Sequence, residues 1–570
     1  MAADSSSARR TNAVSHPQES GSRGSALTKV NPRWLFAVWL VFIGGFALLH
    51  ALHLSADFPN HTPWISDFAK YTDEGWYGNA AVRAHLFGNW YLRGDFNPAP
   101  AVPVWPFLEW LLFFATGVNI EAARGLAVAF FFANLGLSYL LLRARGPRWT
   151  ALLALTLVVT SPFLYCFSRL AILEPMLTAL TLCTFNIGVR LPRWRRPLVW
   201  SVAIGLLFTL MMLTKTTAVF LMPALGWIMI LPLWGDVMKI LRCTAAAAVT
   251  FAVTFGGWMA LVVAKGLLPD YQYLFFINKY IKPSEFYWPL LSLWWSFHGG
   301  LWIDHILVPM AGVLILVAIA AAIGWKSAWA RRVLIDPVFG TSLLASAGYI
   351  AFMTYQNHPQ PRYFAFVAFF CFFLVAICAE ALLGANAEGV GEGLLGSKSP
   401  LRWLGGAALA VAVAAAAGNA AWTLSYALHP EYTFVNAANA LTRYVDQHPN
   451  GNRLLVSISG DDITMMTHLP TLCDDFGTPT AEMPDLVAKL THYQPGWWAT
   501  WNDIDPGTLE DLHTQFSLEQ VASFHALDNS DRDVLVLFKL HPLAGGEMRS
   551  PGDENLQAPL PGDKILIPIQ

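Results

Sequence analysis

The chain is poor in charge. Of its 570 residues, 13% are Asp, Glu, Lys or Arg, against roughly 25% in a soluble domain. This excludes a solvated surface over most of its length. Cysteine is scarce too, with six residues in all. Five of them (166, 183, 243, 371 and 378) lie in or beside apolar runs, and Cys473 stands alone in the polar C-terminal region. They form neither a disulfide framework nor a metal-ligand spacing. No internal repeat is evident. The formal net charge of −2 says little, because the distribution of charge matters more than its sum; no nucleic-acid partner is expected.

Apolar length is what the chain has in abundance. Hydrophobic residues make up 55%, with 24 Trp and 37 Phe. A run such as "WLFAVWLVFIGGFALLHALHL" (34–54) holds about 20 uncharged residues, enough to cross a hydrocarbon core of about 30 Å as a helix. Many similar runs follow, so the fold class is an all-α polytopic membrane protein. Spans are predicted near 34–54, 125–142, 149–165, 174–190, 198–213, 217–235, 243–264, 305–324, 338–355, 363–383 and 403–424, about eleven in number by the length rule. Residues 1–33, rich in Ser, Ala, Arg and Gly, read as a disordered cytoplasmic tail before an uncleaved signal-anchor.

Orientation follows from the loops. With the N-terminus inside, the internal loops "RARGPR", "RLPRWRRP", "DVMKILR", "WKSAWARR" and "GSKSPLRW" carry 14 Lys and Arg. The longer external segments carry about 10, so positive charge collects inside. The apolar stretch 102–118 contains Glu109 and two prolines. Counting it as a crossing would put "RARGPR" outside, so it is read as an outer interfacial or re-entrant helix. The first external loop then runs over 55–124, and a second, over 265–304, reads as an interfacial helix pair. The protein is expected in the plasma (inner) membrane, with residues 34–426 as its transmembrane part.

Beyond residue 427 the pattern changes. "RLLVSIS" (453–459) and "DVLVLFKL" (533–540) read as strands, and 484–491 and 508–515 as helices. A small extracytoplasmic (periplasmic) α/β domain over 427–543 is expected, then a Pro/Gly-rich tail over 544–570. In "PGWWATWND" (495–503), Trp497, Trp498 and Trp501 suit a core better than a sugar platform. "SISGDD" (457–462) resembles a phosphate-binding turn only faintly, lacking a glycine fingerprint.

Polar groups gather at the outer ends of the spans. Asp73 and Glu74 lie in "YTDEGWYGNAA", Arg169 and Glu174 in "SRLAILEP", Lys215 in "LTKTTAV", and His358, Arg362 and Tyr363 in "NHPQPRYF". Each has an ordinary reading: a helix-capping or solvated acid pair, a surface ion pair between Arg169 and Glu174, a lysine snorkelling to headgroups, an interfacial Arg-Tyr anchor. Together, carboxylates and fixed cations at one lipid-level face suit transfer of a group from a lipid-linked phosphate. A carboxylate takes a proton from an attacking hydroxyl, and the cations hold the phosphate as its bond breaks.

These four segments, in this order, resemble integral-membrane glycosyltransferases of the GT-C fold, in particular the protein O-mannosyltransferase and aminoarabinose transferase families. The resemblance covers about residues 34–385. It implies an inverting enzyme that moves a hexosyl or pentosyl group from a polyprenyl-phosphate-linked donor to a hydroxyl of a protein, lipid or glycan at the external membrane face. It also implies Asp73 as general base, Glu74 and Glu174 as orienting partners, and Lys215, Arg362, Tyr363 and Arg169 as donor-phosphate contacts. Tyr77, Trp76 and His358 would line the substrate pocket. Trp76 replaces an arginine of the aminoarabinose transferases, Glu174 replaces an Asp, and Thr216 replaces the glycine of a "TKG"-like motif. Whether a divalent metal joins Asp73 and Glu174 is left open by the resemblance, since related families differ. The rival classes are a transporter or lipid-linked sugar flippase, which would favour paired repeats and midplane polar groups, and a surface-polysaccharide ligase or polymerase.

Overall fold

In the computed structural model, residues 32–57, 71, 73–277, 306–324, 330, 333–355, 360–383, 400–474, 477–502, 504–526 and 533–543 are described. The tails 1–31 and 544–570, most of the second external loop and His358 lie outside them.

Apolar helices dominate, as apolar length dictates. They are α1 (Pro32–Leu49), α2 (Glu74–Phe87), α3 (Val104–Thr116), α4 (Ile120–Arg145), α5 (Arg148–Thr160), α6 (Pro162–Phe167), α7 (Glu174–Gly188), α8 (Pro197–Thr214), α9 (Met222–Ile230), α10 (Val237–Ala264) and α11 (Leu268–Gln272), followed by α12 (Leu307–Gly324), α13 (Pro337–Tyr355), α14 (Tyr363–Leu383) and α15 (Pro400–Leu428). Among the described residues, eight helical segments are long and apolar enough to cross a membrane, fewer than the apolar runs predict. The other three predicted spans fall on the shorter helices α1, α5 and α7. The run 149–165 breaks for a local reason. Ser161 accepts a hydrogen bond from Leu164 N (3.1 Å) and Pro162 opens α6, a cap and first-position pair that starts a new helix. The 13-residue α3 is roughly 20 Å long, too short to cross.

From Ile43 onward the chain forms one unit. In it α4 packs on α7, α7 on α8 and α8 on α10, while α14 lies against α5, α12, α13 and α15. The α14 helix is apolar all round and almost wholly buried, the mark of a central helix.

The C-terminal region is a mixed sheet with helices. Its strands are β1 (Leu455–Val456), β2 (Thr471–Leu472), β3 (Trp497–Trp501), β4 (Phe516–His525) and β5 (Val534–Pro542), in the order β2-β1-β3-β5-β4. The first three are parallel neighbours, and β5 pairs antiparallel with both β3 and β4. Helices α16 (Thr433–Gln447), α17 (Gly460–Thr467), α18 (Leu486–Tyr493) and α19 (Pro506–His513) accompany it. Trp497, Trp498 and Trp501 are core residues, each at most 2% exposed. The sheet region is not detached: α17 packs directly on α2.

Candidate active site

Helix ends explain why the site forms where it does. Glu174 opens α7 and Lys215 closes α8. An acid at a helix N-terminus and a cation at a C-terminus both suit the helix dipole, and the antiparallel packing of α7 on α8 brings the two together. Lys215 Nζ donates to Glu174 Oε1. Two other cations lie near helix N-termini, Arg124 at the start of the second turn of α4 and Arg362 just before α14. Each needs an acid, and the neighbours Asp73 and Glu74 supply one apiece.

Asp73 Oδ2 lies 2.7 Å from Arg362 Nη2. Its side chain makes no capping bond to α2, so the helix-cap reading does not apply. Glu74 accepts from Arg124 Nε (2.8 Å) and Nη2 (2.6 Å), and from Ala171 N (2.7 Å). The Arg124 guanidinium also donates to the carbonyls of Leu54 and Ala56. Asp73, Glu74, Glu174, Lys215 and Arg362 are all buried, between 1% and 6% exposed. Lys215 therefore does not snorkel outward.

Tyr363 joins the two charge pairs. Lys215 Nζ stands 4.3 Å from its ring centroid and the Arg362 guanidinium carbon 4.9 Å, within cation–π range. Tyr77 is half-buried in the same electric field. Burial and then the charge of Asp73 push its hydroxyl well above the ordinary tyrosine value, with Arg362 opposing. Among the described residues Glu174 Oε2 is buried with no hydrogen-bond partner.

Other expected residues lie elsewhere. Arg169 donates to Tyr165 Oη and to the carbonyls of Leu52 and His53, and it does not pair with Glu174. Trp76 leans on Phe96 (ring centroids 5.3 Å apart) and packs with Cys473, Tyr273 and Leu274. Among the described residues no three His, Cys, Asp or Glu side chains are grouped to share a metal ion. Asp73 and Glu174 each face a cation.

Sequence reasoning missed a second buried cluster beside the first. On α17, Asp462 Oδ1 accepts from Gly75 N (2.6 Å), and Asp461 Oδ2 accepts from Asn79 Nδ2 (3.1 Å). Arg83 binds Asp95 (3.1 Å) and the Thr471 carbonyl (2.8 Å), and lies 3.8 Å from Asp461. Burial raises Asp462 well above the usual carboxylate range, with Glu74 adding to the effect. Burial likewise pushes Asp461 up to about 7, against the pull of Arg83. The faint "SISGDD" signal thus marks acids that face the rest of the protein.

No family model and no curated protein matches the sequence. Solved structures do match the fold. The apo crystal structure of ArnT from Cupriavidus metallidurans aligns with a TM-score of 0.56 at 14% identity, covering 88% of this chain and 98% of that one. The same protein bound to undecaprenyl phosphate gives 0.54 at 14% identity with the same coverage. The apo oligosaccharyltransferase of Archaeoglobus fulgidus gives 0.51 at 13% identity, covering 86% of this chain and 71% of that one. The chain has the GT-C-like fold of these membrane glycosyltransferases, and at such identities the likeness singles out no one family within it.

Proposed function

We propose that the chain is an inverting glycosyltransferase that takes its sugar from a polyprenyl-phosphate donor at the external membrane face. The observation that carries this reading is the meeting of Asp73–Arg362 and Glu174–Lys215 around Tyr363. Buried ion pairs are weak ground for stability. Two of them, contributed by four separated segments at one end of a helix bundle, suit a charged substrate better than a scaffold. The reading is supported by ArnT, which is similar in fold and has been solved bound to undecaprenyl phosphate.

In this reading the acceptor hydroxyl gives its proton to the Asp73 carboxylate while its oxygen attacks the anomeric carbon. The bond from that carbon to the phosphate oxygen breaks, and the polyprenyl phosphate leaves with the electron pair. Arg362 and Lys215 then hold the negative charge, in a buried setting where such stabilisation is strong. Before the donor arrives they are kept in place by Asp73 and Glu174, with Tyr363 between them. Glu74, saturated by Arg124 and Ala171 N, orients Asp73 through the backbone. Arg169 holds residues 52–53, a structural role. Tyr77 lies beside the reacting groups, and the mixed-sheet domain lies on the external side.

The test is transfer by the purified protein from a panel of polyprenyl-phosphate sugars. Asp73→Asn is expected to fold and bind donor but lose turnover by about 100-fold or more, the usual scale of general-base effects. A fully active Asn variant would remove Asp73 from the mechanism. The proposed orientation requires that cysteines introduced at 143–148 label only after permeabilisation.

A further inference from the structure

The segment carrying Asp73 is held from both sides by the C-terminal domain. Two residues before it, Tyr71 adopts a left-handed backbone (φ 77°), which a bulky non-glycine residue seldom takes unless its surroundings enforce it. The surroundings are the domain's own core. The Tyr71 ring is 2% exposed and stacks on Phe434 of α16, with centroids 4.3 Å apart, and on Trp501 of β3 at 5.7 Å. Both partners are fixed in turn. Phe434 N donates to Asp57 (2.7 Å), and Trp501 Nε1 donates to Ser459 Oγ (3.2 Å).

Two residues after Asp73, Gly75 N donates to Asp462 Oδ1. The approach is so close that a Cβ on residue 75 would lie 2.2 Å from Asp462 N and 2.3 Å from the Asp461 carbonyl carbon. Only glycine fits there without displacing α17. Among the described residues the other oxygen, Asp462 Oδ2, is buried with no hydrogen-bond partner, and Oδ1 accepts from Gly75 N.

We infer that the C-terminal domain is part of the catalytic apparatus, with Tyr71 and Asp462 acting as positioning residues that grip the chain on either side of Asp73 and aim its carboxylate. This rests on the proposed transferase reading. Misplacing a reacting group by about 1 Å costs on the order of 100-fold in rate, so release of either grip reduces turnover while the donor, held by Lys215 and Arg362, still binds.

The experiment uses the full chain in lipid nanodiscs. Asp462→Leu and Tyr71→Ala are expected to lower kcat by about 10- to 100-fold with the donor KM changed less than about threefold. Asp462→Asn keeps the acceptor oxygen and Tyr71→Phe keeps the ring, and both recover most of the rate. Hydrogen exchange gives a readout independent of activity. The Gly75 amide exchanges slowly in the wild type, quickly in Asp462→Leu, and slowly again in Asp462→Asn. Full turnover in either folded disrupting variant overturns the inference, as does a rapidly exchanging Gly75 amide in the wild type. A wild type that transfers no sugar from any donor refutes the transferase reading instead, and the exchange measurements still decide whether the grip exists.

Discussion

The two ends of the helix bundle carry ion clusters of different design, fully buried at one end and partly buried at the other. On α4, Arg124 and Arg145 are roughly 31 Å apart, close to the thickness of a hydrocarbon core. At the Arg145 end, one cation answers two acids, Asp336 (3.0 Å) and Glu380. Each acid has further work: Glu380 accepts from Thr150 Oγ1 (2.7 Å), and Asp336 accepts from Val338 N (3.0 Å) and Phe339 N (2.9 Å). That cluster clasps α4, α5, α13 and α14. At the other end, acids and cations of the Asp73 group pair one to one, two cations share the face of Tyr363, and Glu174 keeps one oxygen with no hydrogen-bond partner among the described residues. One end is bonded for strength. The other sets two cations, each matched by one acid, against a single tyrosine ring, the arrangement that the proposed reading has a phosphate enter.

The contrast can be broken most severely at Glu74. Glu74→Ala leaves Arg124 buried beside two carbonyls, and a broken buried pair costs about 3–5 kcal/mol; chemical denaturation in detergent is expected to show a loss of that order. Next comes Arg362→Met, which should fold but lose about 100-fold in turnover, the scale of one missing oxyanion donor, checked by single-turnover kinetics. At the opposite end Thr150→Val is expected to cost about 1 kcal/mol and to leave the transfer rate unchanged. A rate loss there would blur the distinction between the two ends.

The smallest effect is on pH. The folded Asp461 and Asp462 bind protons more firmly than an unfolded aspartate does. The contribution of Asp461 to stability is therefore fully present below about pH 4 and is lost as pH rises through about 7, and the contribution of Asp462 is likewise lost on the alkaline side. Hydrogen exchange in α17 should quicken between pH 5.5 and 8, and Asp461→Asn should flatten that dependence.

Much of this was legible in the residue pattern. Eight of the predicted spans fall on helical segments long and apolar enough to cross a membrane and the others on shorter helices, because apolar runs between charged loops have few other solutions in lipid. The Trp cluster at 497–501 read as core and is core. The strands β2, β3 and β4 were missed; β2 has two residues, too short for any alternation to register. Arg124 was missed because it lies one turn into an apolar helix and its acid, Glu74, is 50 positions away. Asp462 was beyond reach in principle. Its partner Gly75 is 387 positions away, and no local periodicity records a contact of that kind.

The reach of that contact also orders events in the life of the molecule. Translation delivers Tyr71 and Gly75 near the start of synthesis, whereas Phe434, Asp462 and Trp501 emerge only after α15 has been made. Until then the left-handed turn at Tyr71 has nothing to enforce it. The conformation around Asp73 is thus a late acquisition, and on the proposed reading a ribosome-bound intermediate, already threaded into the bilayer, would be chemically silent.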